Sequence, residues 1–556
     1  MITPGELLMI LQKKIKREWK VAFLSAFLLG LLIHMPILLS DIPNHDGHDS
    51  LWFSQNMITS GRWFLTVACG ISSYYTIPWV IGLLGLLFLG IAACGLVELF
   101  EVKKEWCIVA ISGLLVSFPA LASTFAYVYT LDGYMLALLL AVFAVLAVKK
   151  LRYGFVAGGV CLAFSMGTYQ AYLSFAMILS LFCVAEILLG EEKLSEKLKA
   201  AARYLYMGIL GVALYYVFLQ ILLKIQGKEL VAYQGINGMG AGFTAEGLLG
   251  SIVSMYRDFV SFTLKGNVLY HNSWSALALG LLALGAVIGA LGVIRKRKLW
   301  KNPFLFVIIV LTFVLLPVVS NIILLISPGV TYHLLMRYQW VLYLMLLLIF
   351  AGGAEDAQEK LPAGAVEKPS AGVVEKPQSG AEAETQSGAR EKVPVAMKVS
   401  RLAQWFCFVG VFGLILFYGV TDNIAYANLE KKYEKTYAYC VRLLDRIEQT
   451  DGYYPGIPIA MIGVVGEEQF PKTDLTGAVT DPMIGMNGDW LLYRGDNYRL
   501  FIANYLGATL NILPAEAMEE MYYDEAYVEM DSFPGENSIR IIDGILYVKT
   551  ENVTRE

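Results

Sequence analysis

The chain has 556 residues, 57% of them hydrophobic and 16% charged, with a formal net charge of −4. A soluble domain carries about 25% charge, and a slightly acidic chain lacks the basic excess that nucleic-acid binding requires. The shortfall is uneven: long apolar runs alternate with short charged loops, the pattern of a chain that crosses a bilayer repeatedly.

The N-terminus, residues 1–20, is basic (Lys13, Lys14, Lys16, Arg17, Lys20) and leads into an apolar stretch from Val21 to Ser40. That stretch is long for a signal-peptide core and lacks a small-x-small cleavage site, so a retained first span is expected. A helix needs about 20 apolar residues to cross. This rule predicts spans at 21–40, 77–100, 106–125, 132–148, 154–168, 171–190, 203–223, 274–294, 303–326, 335–352 and 402–420, about eleven in all. Lysine and arginine in short loops mark the cytoplasmic side. The basic loops are Lys103-Lys104, Lys149-Lys150-Arg152, Lys193 to Arg203 and Arg295 to Lys301. A cytoplasmic N-terminus puts them all inside, and puts the first loop (41–76), the 224–273 loop and everything after Val420 outside.

Residues 353–400 are rich in Ala, Gly, Glu, Lys and Pro, a composition that predicts a disordered cytoplasmic linker. Beyond 421 the chain is soluble in character. Ile424 to Gln449 reads as a helix, Ile457 to Val465 as a buried strand, and Ile539 to Lys549 as a hairpin turning at Asp543-Gly544. The seven cysteines lie mostly in apolar runs and include no CxxC; Cys69 and Cys440 could both face outward, without support for a bridge.

The densest chemistry lies in the first loop, in the run Asn44-His45-Asp46-Gly47-His48-Asp49. Acids next to hydrocarbon are costly unless paired or facing a wet cavity. Asp46 or Asp49 could act as a general base, taking the proton of an attacking hydroxyl; a leaving group that is already a stable anion, such as a lipid phosphate, needs no general acid. The same residues could instead form turns and caps of a solvated loop. His45-x-x-His48 with flanking acids could also supply metal ligands, but the spacing is short and fits no familiar closed site, so no metal is expected.

Leu51 to Phe64 reads as a helix lying in the interface, with Trp52 and Trp63 at headgroup depth. Its Arg62 suits a phosphate, whose oxygens match the guanidinium fork, or else snorkels to water. Asp132 opens the fourth span on the outer side, as a second acid or as a partner of the helix dipole. Tyr169 and Gln170 could stack on and hydrogen-bond a sugar, or belong to an interfacial belt. Arg337, beside Tyr332, His333 and Tyr338, is a second candidate phosphate contact. The glycine-rich stretch 231–246 lacks the strand–turn–helix context of a phosphate loop and is expected to be a flexible loop, with a substrate lid as its candidate role. Tyr256, Arg257 and Asp258 fall on a further candidate interfacial helix. Acids, arginines and aromatics from separate loops thus collect on one face, while the inner loops are merely basic.

The run NHDGHDSLWF followed by SGRWF, then FPALASTFAYVYTLDGYMLALLLAV and GTYQAY, resembles the Gtr-type glucosyltransferases of bacterial surface polysaccharide modification, in order over residues 20–350. The tail segments NYLGATLNILPAEAMEEM and IDGILYVK resemble the family loosely. The family is similar in plan to the GT-C class of membrane glycosyltransferases. The spans and the soluble tail read as an all-α polytopic transmembrane bundle with a small C-terminal extracytoplasmic α/β domain, in keeping with that plan. The resemblance implies a polyprenyl-phosphate-linked glucose or similar hexose donor and a saccharide acceptor outside the bacterial cytoplasmic membrane. It implies an essential acid in the first outer loop, here Asp46 or Asp49, with Asp132 as a second acid. His45, His48, Arg62, Tyr169, Gln170 and Arg337 are the candidate substrate-binding residues. No cofactor or nucleotide-sugar site is implied, and either an inverting or a retaining outcome is compatible. The 353–400 insertion and the two HD pairs depart from the usual pattern.

The expected organisation is a basic cytoplasmic segment (1–20), a transmembrane catalytic region (21–352), a linker (353–400), a last span (401–420) and an extracytoplasmic domain (421–556), in contact with membrane lipids and not with nucleic acid. The alternative is a transporter or flippase of a lipid-linked saccharide, which would favour broken helices, midplane charges and an internal repeat. The charges Glu98 and Glu186 instead sit near cytoplasmic ends, and no repeat is evident. A sensor or assembly protein built around the outer domain is a third possibility.

Overall fold

The computed structural model describes residues 3–49, 52, 54–232, 245–266, 268–296, 303–327, 329–349, 395–462, 474–488, 491–492 and 495–550. The expected linker is outside these residues up to position 394, and so are 233–244 of the expected glycine-rich lid. In chain order the helices are α1 (Pro4–Lys14), α2 (Arg17–Leu39), α3 (Leu65–Cys69), α4 (Pro78–Leu99), α5 (Glu105–Ser117), α6 (Pro119–Phe125), α7 (Val128–Lys150), α8 (Gly154–Thr168), α9 (Tyr172–Leu189) and α10 (Leu194–Gln226). They continue with α11 (Ala245–Lys265), α12 (Ser273–Lys296), α13 (Pro303–Ser320), α14 (Ile323–Ile326), α15 (Leu334–Ile349) and α16 (Val395–Glu448).

Among the described residues eight helices are long and apolar enough to cross a membrane, or nine if α5 and α6 form one bent span. The remaining two expected spans appear as the shorter apolar helices α8 and α15. The 45° bend between α5 and α6 falls at Pro119. Proline disfavours helical torsions in the residue before it, and Phe118 is extended at φ −67°, ψ 127°. Large apolar side chains face outward along the bundle, among them Phe306, Val307 and Phe313 of α13 and Leu205 and Ile209 of α10. A surface of this kind is costly in water and suits lipid. The chain is thus a multi-helix membrane protein.

The two ends of the bundle differ in charge. At one end Glu98 bonds Lys16 at 2.7 Å and Lys150 at 2.8 Å, Glu18 bonds Lys103 at 3.1 Å, and Glu186 bonds Lys149 at 3.1 Å. Basic loops far apart in sequence therefore meet at the end that holds the N-terminus. The first loop, the start of α7, the α8–α9 corner and the segment before α15 gather at the other.

The sequence predicts a last span at 402–420 and a separate helix at 424–449; the structure has one helix of 54 residues instead, about 81 Å long at 1.5 Å per residue. Its lower part packs on α12 through small residues: a side chain at Gly285 would meet Cys407 Sγ at 2.5 Å, and one at Gly410 would meet the Ala278 carbonyl at 2.6 Å. Close backbone approach of this kind is how helices associate where lipid removes the hydrophobic drive. Its upper part carries the C-terminal region. There β1 (Ile459–Ile462), β2 (Ile539–Ile542) and β3 (Ile545–Lys549) form a sheet in the order β1-β3-β2, with β1 parallel and β2 antiparallel to β3. The expected hairpin turns at Asp543 (φ 49°) and Gly544 (φ 81°), the two left-handed positions a tight two-residue turn demands. All seven cysteines are free.

Candidate functional site

A cavity of about 460 Å³ opens at the end of the bundle opposite the basic loops. Much of its lining is polar and aromatic: His45, Asp46, His48, Arg62, Tyr127, Tyr129, Tyr134, Tyr169 and Gln170. Apolar side chains complete it, among them Val231, Ile323, Val330, Leu335 and Met336. Residues predicted separately from the first loop, the α7 start and the α8–α9 corner thus share one space.

The turn carrying Asp46 is built by Asn44, whose side-chain oxygen accepts from the Asp46 N–H at 3.0 Å and whose carbonyl accepts from Gly47 N–H at 3.0 Å. Asp46 stays half exposed, its carboxylate 3.5 Å from His45 Nε2. His48 is buried, and its Nε2 lies 2.8 Å from the Leu491 carbonyl. A carbonyl only accepts, so Nε2 carries a proton. Phe501 packs edge-on against the same ring at 5.6 Å. The backbone of Asp49 closes the short Gly47–Asp49 helical turn, and its side chain lies outside the described residues. Asp41, on the far side of this loop, is held above the usual carboxylate range by burial.

Arg62 is presented by a turn rather than by the expected interfacial helix. Gln55 (φ 53°) and Gly61 (φ 78°) take left-handed torsions, Met57 and Arg62 pair as an isolated bridge, and only Ile58–Ser60 is helical; Ser50, Leu51 and Phe53 are outside the described residues. Gln170 Nε2 donates to the Ser60 carbonyl at 3.0 Å and Tyr215 Oη to the Gly61 carbonyl at 3.2 Å. Trp63 wedges against Gly167, where any Cβ would meet its ring at 2.5 Å. Trp63 is therefore a packed anchor, while Trp52 remains exposed beside Tyr75. The Arg62 guanidinium donates to Tyr134 Oη at 3.2 Å and lies 5.3 Å from the Tyr169 ring, which stacks on Tyr134 at 4.3 Å. Tyr129 stands within electrostatic reach of both Asp46 and Arg62.

Two predicted residues are placed differently. Asp132 is fully buried beside Cys69 and Ser72, and its Oδ1 accepts from the Gly133 N–H at 2.8 Å. Thr130 and Tyr134 of the same helix line the cavity; Asp132 is about 200° around the helix from both, because each residue adds about 100°. Arg337 is 3% exposed and forked onto Asp258 at 2.6 and 2.7 Å, with its charge 3.9 Å from the Tyr332 ring. Its donors are engaged within the protein, and it anchors the segment whose His333, Leu335 and Met336 reach the cavity.

The C-terminal region also contributes to the site, a role the sequence reading did not assign it. Ile484 and Asn497 line the cavity. Asn497 donates to the His45 carbonyl at 3.2 Å and Asn504 to the His48 carbonyl at 2.8 Å. Lys432 of α16 donates to the Asn487 carbonyl at 2.8 Å, which ties the segment that touches His48 to the long helix. The signals were the asparagines after residue 480 and the family-like run NYLGATLNILPAEAMEEM, which begins at Asn504. Among the described residues, no three His, Cys, Asp or Glu side chains come together as a metal ligand set.

Fold and cavity define a polytopic α-helical membrane protein with polar chemistry gathered at one end. Residues 35–351, more than half of the chain, match the family model described as Glucosyl transferase GtrII, and the chain belongs to that family. It is accordingly a glucosyltransferase, acting between a sugar donor and an acceptor. Comparison with curated proteins and with solved structures gives no significant match.

Proposed function

We propose that the protein transfers glucose, or a similar hexose, from a polyprenyl-phosphate carrier to a cell-surface polysaccharide or related saccharide at the outer face of the bacterial cytoplasmic membrane. The N-terminus and basic loops would then be cytoplasmic and the C-terminal domain extracytoplasmic. The observation that carries this is the mixed lining of the cavity: a carboxylate, a guanidinium and aromatic rings share one space with apolar side chains. A lipid-linked sugar phosphate combines the same polar and apolar parts.

In this scheme Asp46 takes the proton of the acceptor hydroxyl as its oxygen bonds to the anomeric carbon. The bond from that carbon to the phosphate oxygen breaks, and its electrons leave on the polyprenyl phosphate, already an anion. Arg62 balances the phosphate charge. Tyr169 and Tyr134 offer faces on which a sugar ring stacks. The half-exposed Asp46 returns its proton to water. No metal or other cofactor takes part.

The test is Asp46→Asn, alongside Asp49→Asn and the double variant. Each is supplied with polyprenyl-phosphate glucose in membranes of the native host, and label entering saccharide is measured. Loss of a general base should slow transfer by about 10²–10⁴-fold. Full activity in all three variants would remove carboxylate catalysis from the first loop.

A further inference from the structure

The turn that carries Asp46 is gripped at both ends by one helix of the C-terminal region. Asn497 Nδ2 holds the His45 carbonyl at 3.2 Å and Asn504 Nδ2 holds the His48 carbonyl at 2.8 Å. Between them Phe501 packs on the His48 ring. These three residues stand at i, i+4 and i+7 on Gly495–Phe501 and the π-helical turn Ile502–Leu506 that continues it; such spacing forms one stripe along a helix. The Leu491 carbonyl fixes the remaining edge of His48. The polar atoms of this stripe meet main-chain carbonyls of the turn, so they can hold the loop in place without contacting the sugar's reacting carbon.

We infer that Asn497 and Asn504 are positioning residues, which set the His45–His48 turn so that the Asp46 carboxylate meets the acceptor hydroxyl. The C-terminal region is then part of the catalytic site and not an appended module. This rests on Asp46 as the base. An error of about 1 Å in such placement can cost about 10²-fold in rate. Losing one amide should therefore lower the maximal rate about 10-fold, and losing both about 100-fold. The KM for the lipid-linked donor should not move, because the Arg62 turn is held separately by Gln170, Tyr215 and Trp63.

The experiment compares Asn497→Leu, Asn504→Leu, the double variant and Asn504→Gln in the full chain. Polyprenyl-phosphate glucose is the varied substrate, and host membranes supply the endogenous saccharide. Asn511→Ala serves as control, since the Asn511 side chain donates to the Gly456 carbonyl of the same region, away from the turn, and its loss should leave transfer unchanged. Support is a fall in maximal rate at constant donor KM, partly rescued by glutamine, which keeps the amide. Wild-type rates in both single leucine variants while Asp46→Asn is inactive would overturn the inference and spare the base. So would an equal rise in donor KM, or Asn504→Gln no faster than Asn504→Leu; the single variants decide the matter should the double fail to fold. A fully active Asp46→Asn would remove the base and this inference with it.

Discussion

Asp258→Ala offers a quantitative test of how the wall formed by His333, Leu335 and Met336 is held. Asp258 and Arg337 meet as a fork at 2.6 and 2.7 Å, with side chains 22% and 4% exposed. Removing one partner of a buried pair costs about 3–5 kcal/mol, because the other charge is left without compensation in a dry site. Two features favour the lower end. The guanidinium keeps the rings of Tyr332, Phe262 and Trp340 at 3.9, 4.9 and 5.6 Å, and its Nε still donates to the Tyr332 carbonyl at 3.1 Å. Cation–π attraction of about 2 kcal/mol in a desolvated site persists in the variant. Water also reaches Asp258 in part. The expected loss is about 3 kcal/mol for Asp258→Ala and about 1–2 kcal/mol for Arg337→Met, which leaves the more exposed partner behind. The double variant Asp258→Ala/Arg337→Met should recover most of the loss, as apolar replacements of buried pairs often do. Equilibrium unfolding in mixed detergent–dodecyl sulfate micelles measures all four corners of the cycle. A coupling under about 0.5 kcal/mol, the scatter expected of independent sites, would refute the pair as the anchor of this wall.

Two further outcomes are expected. Arg62→Met should raise the KM for polyprenyl-phosphate glucose and lower the rate, by about 10–100-fold in their ratio, with Arg62→Lys intermediate because a point charge cannot fork onto phosphate; an unchanged donor KM in titrations would exclude the phosphate role. His333, held below the ordinary imidazole value first by burial and then by the Arg337 charge, favours its neutral form in the folded protein. As pH falls the unfolded chain takes up this proton first, near about pH 6.5, so the contribution is present above that value and is lost as pH drops toward the folded pKa. His333→Gln should therefore show less loss of thermal stability than the wild type between about pH 7.5 and about pH 5.5, and parallel melting curves would contradict it.

Much of this architecture was legible in the chain because it depends on local patterns. Apolar runs gave most spans, and Asp543-Gly544 between β-branched residues gave the hairpin. Boundaries set by tertiary contacts were not legible. The polar triplet Thr421-Asp422-Asn423 reads as the end of a span, yet α16 runs through it, since Asn423 bonds the Ile33 and Gly419 carbonyls and Tyr426 reaches His34 at 2.6 Å. Leu51 to Phe64 carries the composition of an interfacial helix, but Gly61 and the anchoring by Gln170 turn the chain so that Arg62 points into the cavity. The gathering of Asp46, Arg62, Tyr169 and Gln170 followed from placing their loops on one face. Arg337 was assigned to phosphate because its carboxylate partner lies 79 residues earlier in the chain. Asp132 lies at the expected end of its span, but which way it faces around the helix, away from Thr130 and Tyr134, depends on the rotation of α7 against its neighbours and was not legible.

The long helix also makes the C-terminal region sensitive to screw phase. Each residue inserted between the bundle contacts of α16 and Lys432 would swing everything beyond it by about 100° and lift it by about 1.5 Å. The Lys432–Asn487 bond would be lost, and with it the register of Asn497 and Asn504 against the His45–His48 turn. Length in that stretch is thereby locked to a turn that lies near the opposite end of the chain. An insertion of seven residues, close to two whole turns, would restore the azimuth but not the height, so activity should not return with helical periodicity.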